Sequence, residues 1–284
     1  MQKPFHFFAL LFAFLLAGSA SVQARPLEEI EASGELRFCI VTANQQEYEF
    51  YCKLAKAFAA HVGTDLEVVV HGVATWDIIF QDENGQTRRG DSYTPKLLAE
   101  GTCDCIAAPI TRMPWRENLM GIVNLFPSRT VVVVRRGEEQ DYTSERNLAG
   151  KRAIILKSSS FQSWLEGQNQ TLYLANPVSI ALTATLINAR EMLLSGEADF
   201  TLMDADGAMA IIRQEYPDLT VAFSLGEVEA IGWGFCKDDK VLQEKAREFF
   251  RLQIADADSA FNKLWKQRYG MTLVEFAQSM TTGR

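Results

Sequence analysis

The stretch "GTCDCIAAPITRMPWR" (residues 101–116) decides how the chain is read. Gly101 marks the exit of a short predicted helix, and a short apolar run follows it. Two guanidinium groups, Arg112 and Arg116, follow around Pro114 and Trp115. An apolar run of this length, bounded by turn residues, fits a buried strand. An arginine directly beyond such a strand is either one half of a surface ion pair or a charge held for a ligand.

Outward from this stretch, strand and helix patterns take turns. "LRFCIV" (36–41) reads as a strand. Tyr51, Leu54, Phe58 and Val62 then recur at helical spacing up to Gly63, and "LEVVV" (66–70) is a strand again, completing a β-α-β unit. "IIFQDENGQTRRG" (78–90) predicts a hairpin, because Asn84-Gly85 suits a type I′ turn. "TPKLLAEG" (94–101) predicts a short helix with Thr94 at the cap and Pro95 in the first turn. "TVVVV", "RAIIL" and "FTLMD" predict further buried strands, with helices expected over 179–195 and 205–215. The C-terminal part reads as helical, and Thr272 with Glu275 forms a capping-box pattern. Such alternation implies α/β architecture with largely parallel sheets.

Composition narrows the partners. The 284 residues are 48% hydrophobic and 23% charged, a folded profile with a formal net charge of -8. An acidic balance without clustered Lys and Arg argues against nucleic acid and anionic membrane surfaces. Lys3, the apolar run Phe5–Leu16 and Val22-Gln23-Ala24 predict a cleaved export signal over 1–24, so a periplasmic protein starting at Arg25 is expected. That protein would carry 27 basic against 36 acidic residues. All five Cys follow the predicted cleavage site, which permits two disulfides at most. Cys39 and Cys103 can bridge if their strands are neighbours; Cys52, Cys105 and Cys236 fit small buried residues. "CDC" lacks zinc spacing, so no metal and no cofactor is expected.

Catalytic signatures are missing from the sequence: there is no phosphate loop, nucleophile elbow or paired histidine motif. His61 and His71 sit at the ends of a predicted helix and strand. Ser158-Ser159-Ser160 fits a strand-to-helix turn whose hydroxyls and backbone N–H groups face an anion.

From "LEEIEASGELRF" to "LWKQRYG" the chain resembles the amino-acid-binding branch of the periplasmic solute-binding proteins, family 3, with its type II clamshell fold. The resemblance rests on Gly101, Asp104, Thr111 and Arg116 in order, on Gly150-Lys151 leading to Lys157-Ser158-Ser159, on Ser195, Gly196, Asp199 and Asp204, and loosely on "IGWGF" (231–235). It implies an α/β protein of two lobes, the first made of 25–130 plus 236–284 and the second of 131–235. It also implies a ligand site in which Arg116 takes a carboxylate and Asp204 an ammonium from opposite lobes, with Thr111 and Ser159 adding polar contacts. Trp76, Trp115 and Phe161 are candidates to line the pocket. The expected protein is a monomer that is not an enzyme, with no catalytic residues. It would capture an amino acid or related small solute for an ABC importer permease or a membrane sensor. Two alternatives share the fold: a cyclohexadienyl-dehydratase-like enzyme, which needs a positioned acid, and a non-transport accessory of a quinoprotein dehydrogenase. The chain departs from the family at "TANQQ" (42–46), where the aromatic hairpin is missing, at an insertion around "QDENGQTRRG", and at Met113. Arg88, Arg89 and Arg112 fit an acidic ligand or a solvated face equally well.

Overall fold

The computed structural model describes residues 25–42 and 44–282, so the expected export signal lies outside the described residues. The first lobe opens with helix α1 (Leu27–Ser33), strand β1 (Glu35–Val41), helix α2 (Gln45–Val62) and strand β2 (Glu67–Val73). A short helix α3 (Lys96–Ala99), strand β3 (Cys105–Thr111) and the single turn α4 (Pro114–Glu117) follow. β1 lies between β2 and β3 and is parallel to both. With neighbours on both edges, Leu36, Phe38, Cys39 and Ile40 are all buried, which is why the strand is a near-continuous apolar run.

Two long strands, β4 (Gly121–Arg135) and β8 (Leu219–Phe235), run antiparallel through both lobes. Between them come β5 (Arg152–Leu156), α5 (Ser160–Asn169), β6 (Ser179–Thr183), α6 (Leu186–Leu194), β7 (Thr201–Asp204) and α7 (Ala205–Gln214). The main sheet has the order β2-β1-β3-β8-β4-β7, and β5 and β6 form a parallel pair. A bridge from Ala153 to Phe200 attaches that pair to β7. Pairing is parallel in the β-α-β units and antiparallel where β4, β8 and β7 meet. Helices α8 (Lys240–Ala255), α9 (Ala260–Tyr269) and α10 (Leu273–Thr282) follow; α8 and α9 pack on α2, and α10 on β4.

The cores follow from this arrangement. Phe50, Leu54, Phe58 and Val62 form the buried face of α2. Phe58 meets Trp233 of β8 edge-on at 6.0 Å, and Phe250 of α8 meets the same indole at 5.1 Å. "GWG" is required around that tryptophan, since a Cβ on Gly232 would lie 2.3 Å from the Val123 carbonyl oxygen. The second lobe has its own cluster around Leu148, Ile155, Leu165 and Phe200.

Both lobes use one turn device. Gly101 and Gly196 adopt φ of 65° and 78°, which residues with a Cβ rarely adopt. Three residues later, Asp104 accepts from the Arg37 backbone N–H at 2.9 Å, and Asp199 accepts from that of Arg152 at 2.8 Å. Each carboxylate also holds an arginine side chain, Arg25 and Arg152 respectively. Each Asp thus locks the start of its own strand to a parallel neighbour.

The disulfide Cys39–Cys103 forms with a Cα separation of 5.6 Å, and Thr272 with Glu275 makes the expected capping box. Three local expectations are corrected. "IIFQDENGQTRRG" is no hairpin: Trp76–Phe80 is a 3-10 turn, and the Asp82 carboxylate gathers the loop by accepting from the backbone of Asn84 and Gln86. That side chain supplies the closure that strand pairing would otherwise give. Residues 179–183 are strand β6, because they pair with β5, and the helix starts at Leu186 behind an N-cap on Thr185. The cap position of α3 falls on Pro95, not Thr94.

Candidate functional site

A cleft of about 510 Å³ opens between the lobes. Trp76, Thr111 and Arg116 line it from the first lobe, and Ser159 and Asp204 from the second. All five residues predicted to contact a ligand therefore face one cavity.

Local structure explains each position. Thr111 ends β3, and Pro114 starts α4 with its fixed φ, so the chain turns back within three residues. That turn brings Arg116 under the sheet end, where its Nη1 donates to the Thr111 carbonyl oxygen at 2.9 Å. The guanidinium lies 4.8 Å from the Phe80 ring centroid, 5.1 Å from Trp115 and 5.9 Å from Trp76. Aromatic faces attract a cation without neutralising it. Arg116 is 1% exposed, and among the described residues its Nε has no hydrogen-bond partner and its guanidinium forms no ion pair. Burial lowers its pKa to about 10; Arg89 adds to the lowering while Asp204 and Glu229 oppose it.

Ser159 caps α5, its hydroxyl accepting from the Gln162 N–H. The preceding Ser158 holds φ at 62°, a left-handed conformation, and Ser159, Ser160 and Phe161 after it line the cleft. Asp204 ends β7 beside Thr130 of β4, at the crossing between lobes. Its Oδ1 is buried with no hydrogen-bond partner among the described residues. Burial, followed by the nearby Asp206 and Glu229, pushes its pKa well above the ordinary carboxylate range, and Arg116 pulls the other way. A cation beside Asp204 and an anion beside Arg116 would satisfy both groups.

Of the aromatic candidates, Trp76 and Phe161 line the cleft. Trp115 instead stands behind Arg116, packed on Phe80 at 5.2 Å. Arg88 is bound to Asp82 and Asp91, each at 2.7 Å. Arg112 is paired with Glu117 at 2.6 Å and opens on a different groove with Arg247 and Arg251. Arg89, from the inserted loop, reaches across the mouth to donate to Ser163 of α5 at 2.6 Å.

Sequence reasoning missed Asn44, Glu47, Asp206, Glu215 and Tyr216, all of which line the cleft. Glu47 stands in the first turn of α2, and burial pushes its pKa up to about 7; Asp206 and Glu215 raise it further while Arg268 lowers it. Only the spacing of Glu47 three residues after the capping Asn44 was readable. Among the described residues, no group of three or more His, Cys, Asp or Glu could hold a metal ion. No helix there is long and apolar enough to cross a membrane.

No protein-family model matches the chain. Among curated proteins it is 28% identical over 206 residues to a membrane-bound lytic murein transglycosylase F of Desulfosudis oleivorans, covering 71% of this chain and 40% of that protein. A namesake from Saccharophagus degradans is 28% identical over 249 residues, covering 84% and 46%. The chain thus spans about half the length of the curated relatives it matches. Among solved structures, a mutant of ArgBP from T. maritima superposes with a TM-score of 0.69 at 17% identity, over 86% of this chain and 99% of that one. The amino acid ABC transporter substrate-binding protein AbpA of Streptococcus pneumoniae, bound to L-arginine, gives 0.69 at 16%, over 86% and 98%. The fold is that of the type II periplasmic binding proteins. The expectation that the chain is not an enzyme is corrected by the curated relatives, which carry the name of an enzyme.

Proposed function

We propose that the cleft binds a small zwitterion, an α-amino acid or the amino-acid end of a larger solute, and closes around it by hinge motion of β4 and β8. The lobes that move are residues 25–130 with 236–284, and 131–235. Arg116 takes the carboxylate and Asp204 the ammonium; Thr111 and Ser159 add hydroxyl contacts, and Trp76 packs on the ligand. The observation that carries this reading is Arg116 itself: a guanidinium buried to 1% exposure, lining the cavity, with no ion-pair partner among the described residues. A buried charge of that kind is costly unless something pairs with it.

The setting is the bacterial envelope, and the curated relatives' name favours murein turnover as the process the cleft serves. Capture of the zwitterion would then tune murein cleavage. A second reading, delivery to an importer permease or a sensor, is favoured by the structural likeness to an amino acid ABC transporter substrate-binding protein. Titration calorimetry of ligand-stripped protein against an amino-acid panel tests the shared core of both. Binding that Arg116→Ala abolishes is expected, and a panel without a single binder would overturn it.

A further inference from the structure

We infer that the cleft selects solutes with a second cation, a side-chain ammonium or guanidinium beyond the α-ammonium, received by Glu47, Glu215 and Asp206 where the lobes meet. This inference rests on the zwitterion reading above. Arg116 and Asp204 already account for one carboxylate and one ammonium. The same cavity wall adds three further carboxylates. Glu47 is the third residue of a helix capped by Asn44, a place where Glu commonly bonds back to the cap. Here its carboxylate makes no hydrogen bond or ion pair among the described residues and opens on the cavity instead. Glu215 accepts one long hydrogen bond among the described residues, from Asn44 Nδ2 at 3.5 Å. Asp206, 5% exposed, accepts from Ser128 Oγ at 2.8 Å.

The three acids come from two lobes: Glu47 from α2, Asp206 and Glu215 from α7 and its end. Closure therefore brings like charges together, and Asp206 and Glu215 both act to raise the pKa of Glu47. Arg268 of α9 and the hydroxyls of Tyr51 and Tyr269 also act on this group, so among the described residues a protein cation already stands beside the three acids. A ligand cation set between the lobes would bond to both and remove the repulsion that opposes closure. Leu186 and Ile211 on the same wall suit the methylene stem of such a side chain. The unpartnered Nε of the buried Arg116 independently fixes where the ligand's anionic end lies.

The test is calorimetry at pH 8 with two probes of similar length, L-lysine and L-glutamine, on the purified chain and on its Glu47→Gln and Glu215→Gln variants. Lysine should bind at least 10-fold tighter than glutamine, and each substitution should erode that preference several-fold while leaving glutamine affinity within 2-fold. Glutamine binding as tightly as lysine, or losses that fall equally on both probes, would overturn the second cation site and leave the zwitterion reading standing. Binding of neither probe would overturn the second cation site, and the zwitterion reading would then stand or fall on the rest of the amino-acid panel.

Discussion

Arg116 donates to the carbonyl oxygen of Thr111 at 2.9 Å, so the guanidinium is tied to the end of the strand that delivers it. One arm is spent on position, and the unpartnered Nε and the remaining arm stay available for a carboxylate. A lysine offers a point charge without the fork. Arg116→Lys should keep the fold and weaken ligand binding by about 10- to 100-fold. Calorimetry alongside circular dichroism checks both halves of that statement.

Arg89 provides a bond across the cleft mouth that no ligand is needed to make. Its donation to Ser163, with Glu166 3.9 Å away, holds the inserted loop of the first lobe against α5 of the second. Being partly exposed, this contact is worth about 0.2–1 kcal/mol. Arg89→Ala should therefore weaken binding by no more than about 5-fold, mainly through faster dissociation. Stopped-flow release kinetics distinguish this from the far larger effect expected at Arg116.

Glu47 makes stability depend on pH in a direction opposite to that of a paired surface carboxylate. Its pKa rises from 4.5 to about 7 on folding, so between those values the folded chain holds a proton that the unfolded chain has released. Its contribution is fully present below 4.5 and is lost as pH climbs through about 7. Asp204 is shifted in the same direction, and Arg268 opposes the shift at Glu47. Glu47→Gln should flatten the fall in melting temperature over that interval by the equivalent of about 1–3 kcal/mol. An unchanged pH profile in the variant would assign the slope to other groups.

Cys39–Cys103 closes a loop with a sequence separation of 64. The chain-entropy model gives about 4 kcal/mol for such a loop as an upper figure. Replacing both cysteines by Ala should lower the urea midpoint without altering the three remaining thiols, a result that peptide mapping without reduction verifies.

How much was legible depended on whether a feature was local. The Gly-x-x-Asp turns, the 272–275 capping box and the Ser159 cap are written into a few adjacent residues, and all form. Thr111, Arg116 and Asp204 could be placed because their motif spacing carries them to the ends of strands that meet at the cleft. Residues 179–183 were unreadable as a strand, since only pairing with 152–156 makes them one. The hairpin at Asn84-Gly85 failed because Asp82 satisfies the loop's backbone by itself. Glu47 and Glu215 were missed for a related reason. Each looks like an ordinary solvated helix acid until α2 and α7 are brought face to face across the lobes.

The most direct test of the clamp is a double-mutant cycle on Arg116→Ala and Asp204→Ala, read by calorimetry with the tightest amino acid of the panel. Each single change should cost about 2–5 kcal/mol, because a partner charge stays buried and unpaired. The double mutant should lose less than the sum, because both residues grip one small molecule. Arg112→Ala, whose side chain is held by Glu117 outside the cleft, serves as the control and should bind as wild type does. Single mutants that bind as tightly as wild type would contradict the clamp and leave Arg116 as a buried structural charge.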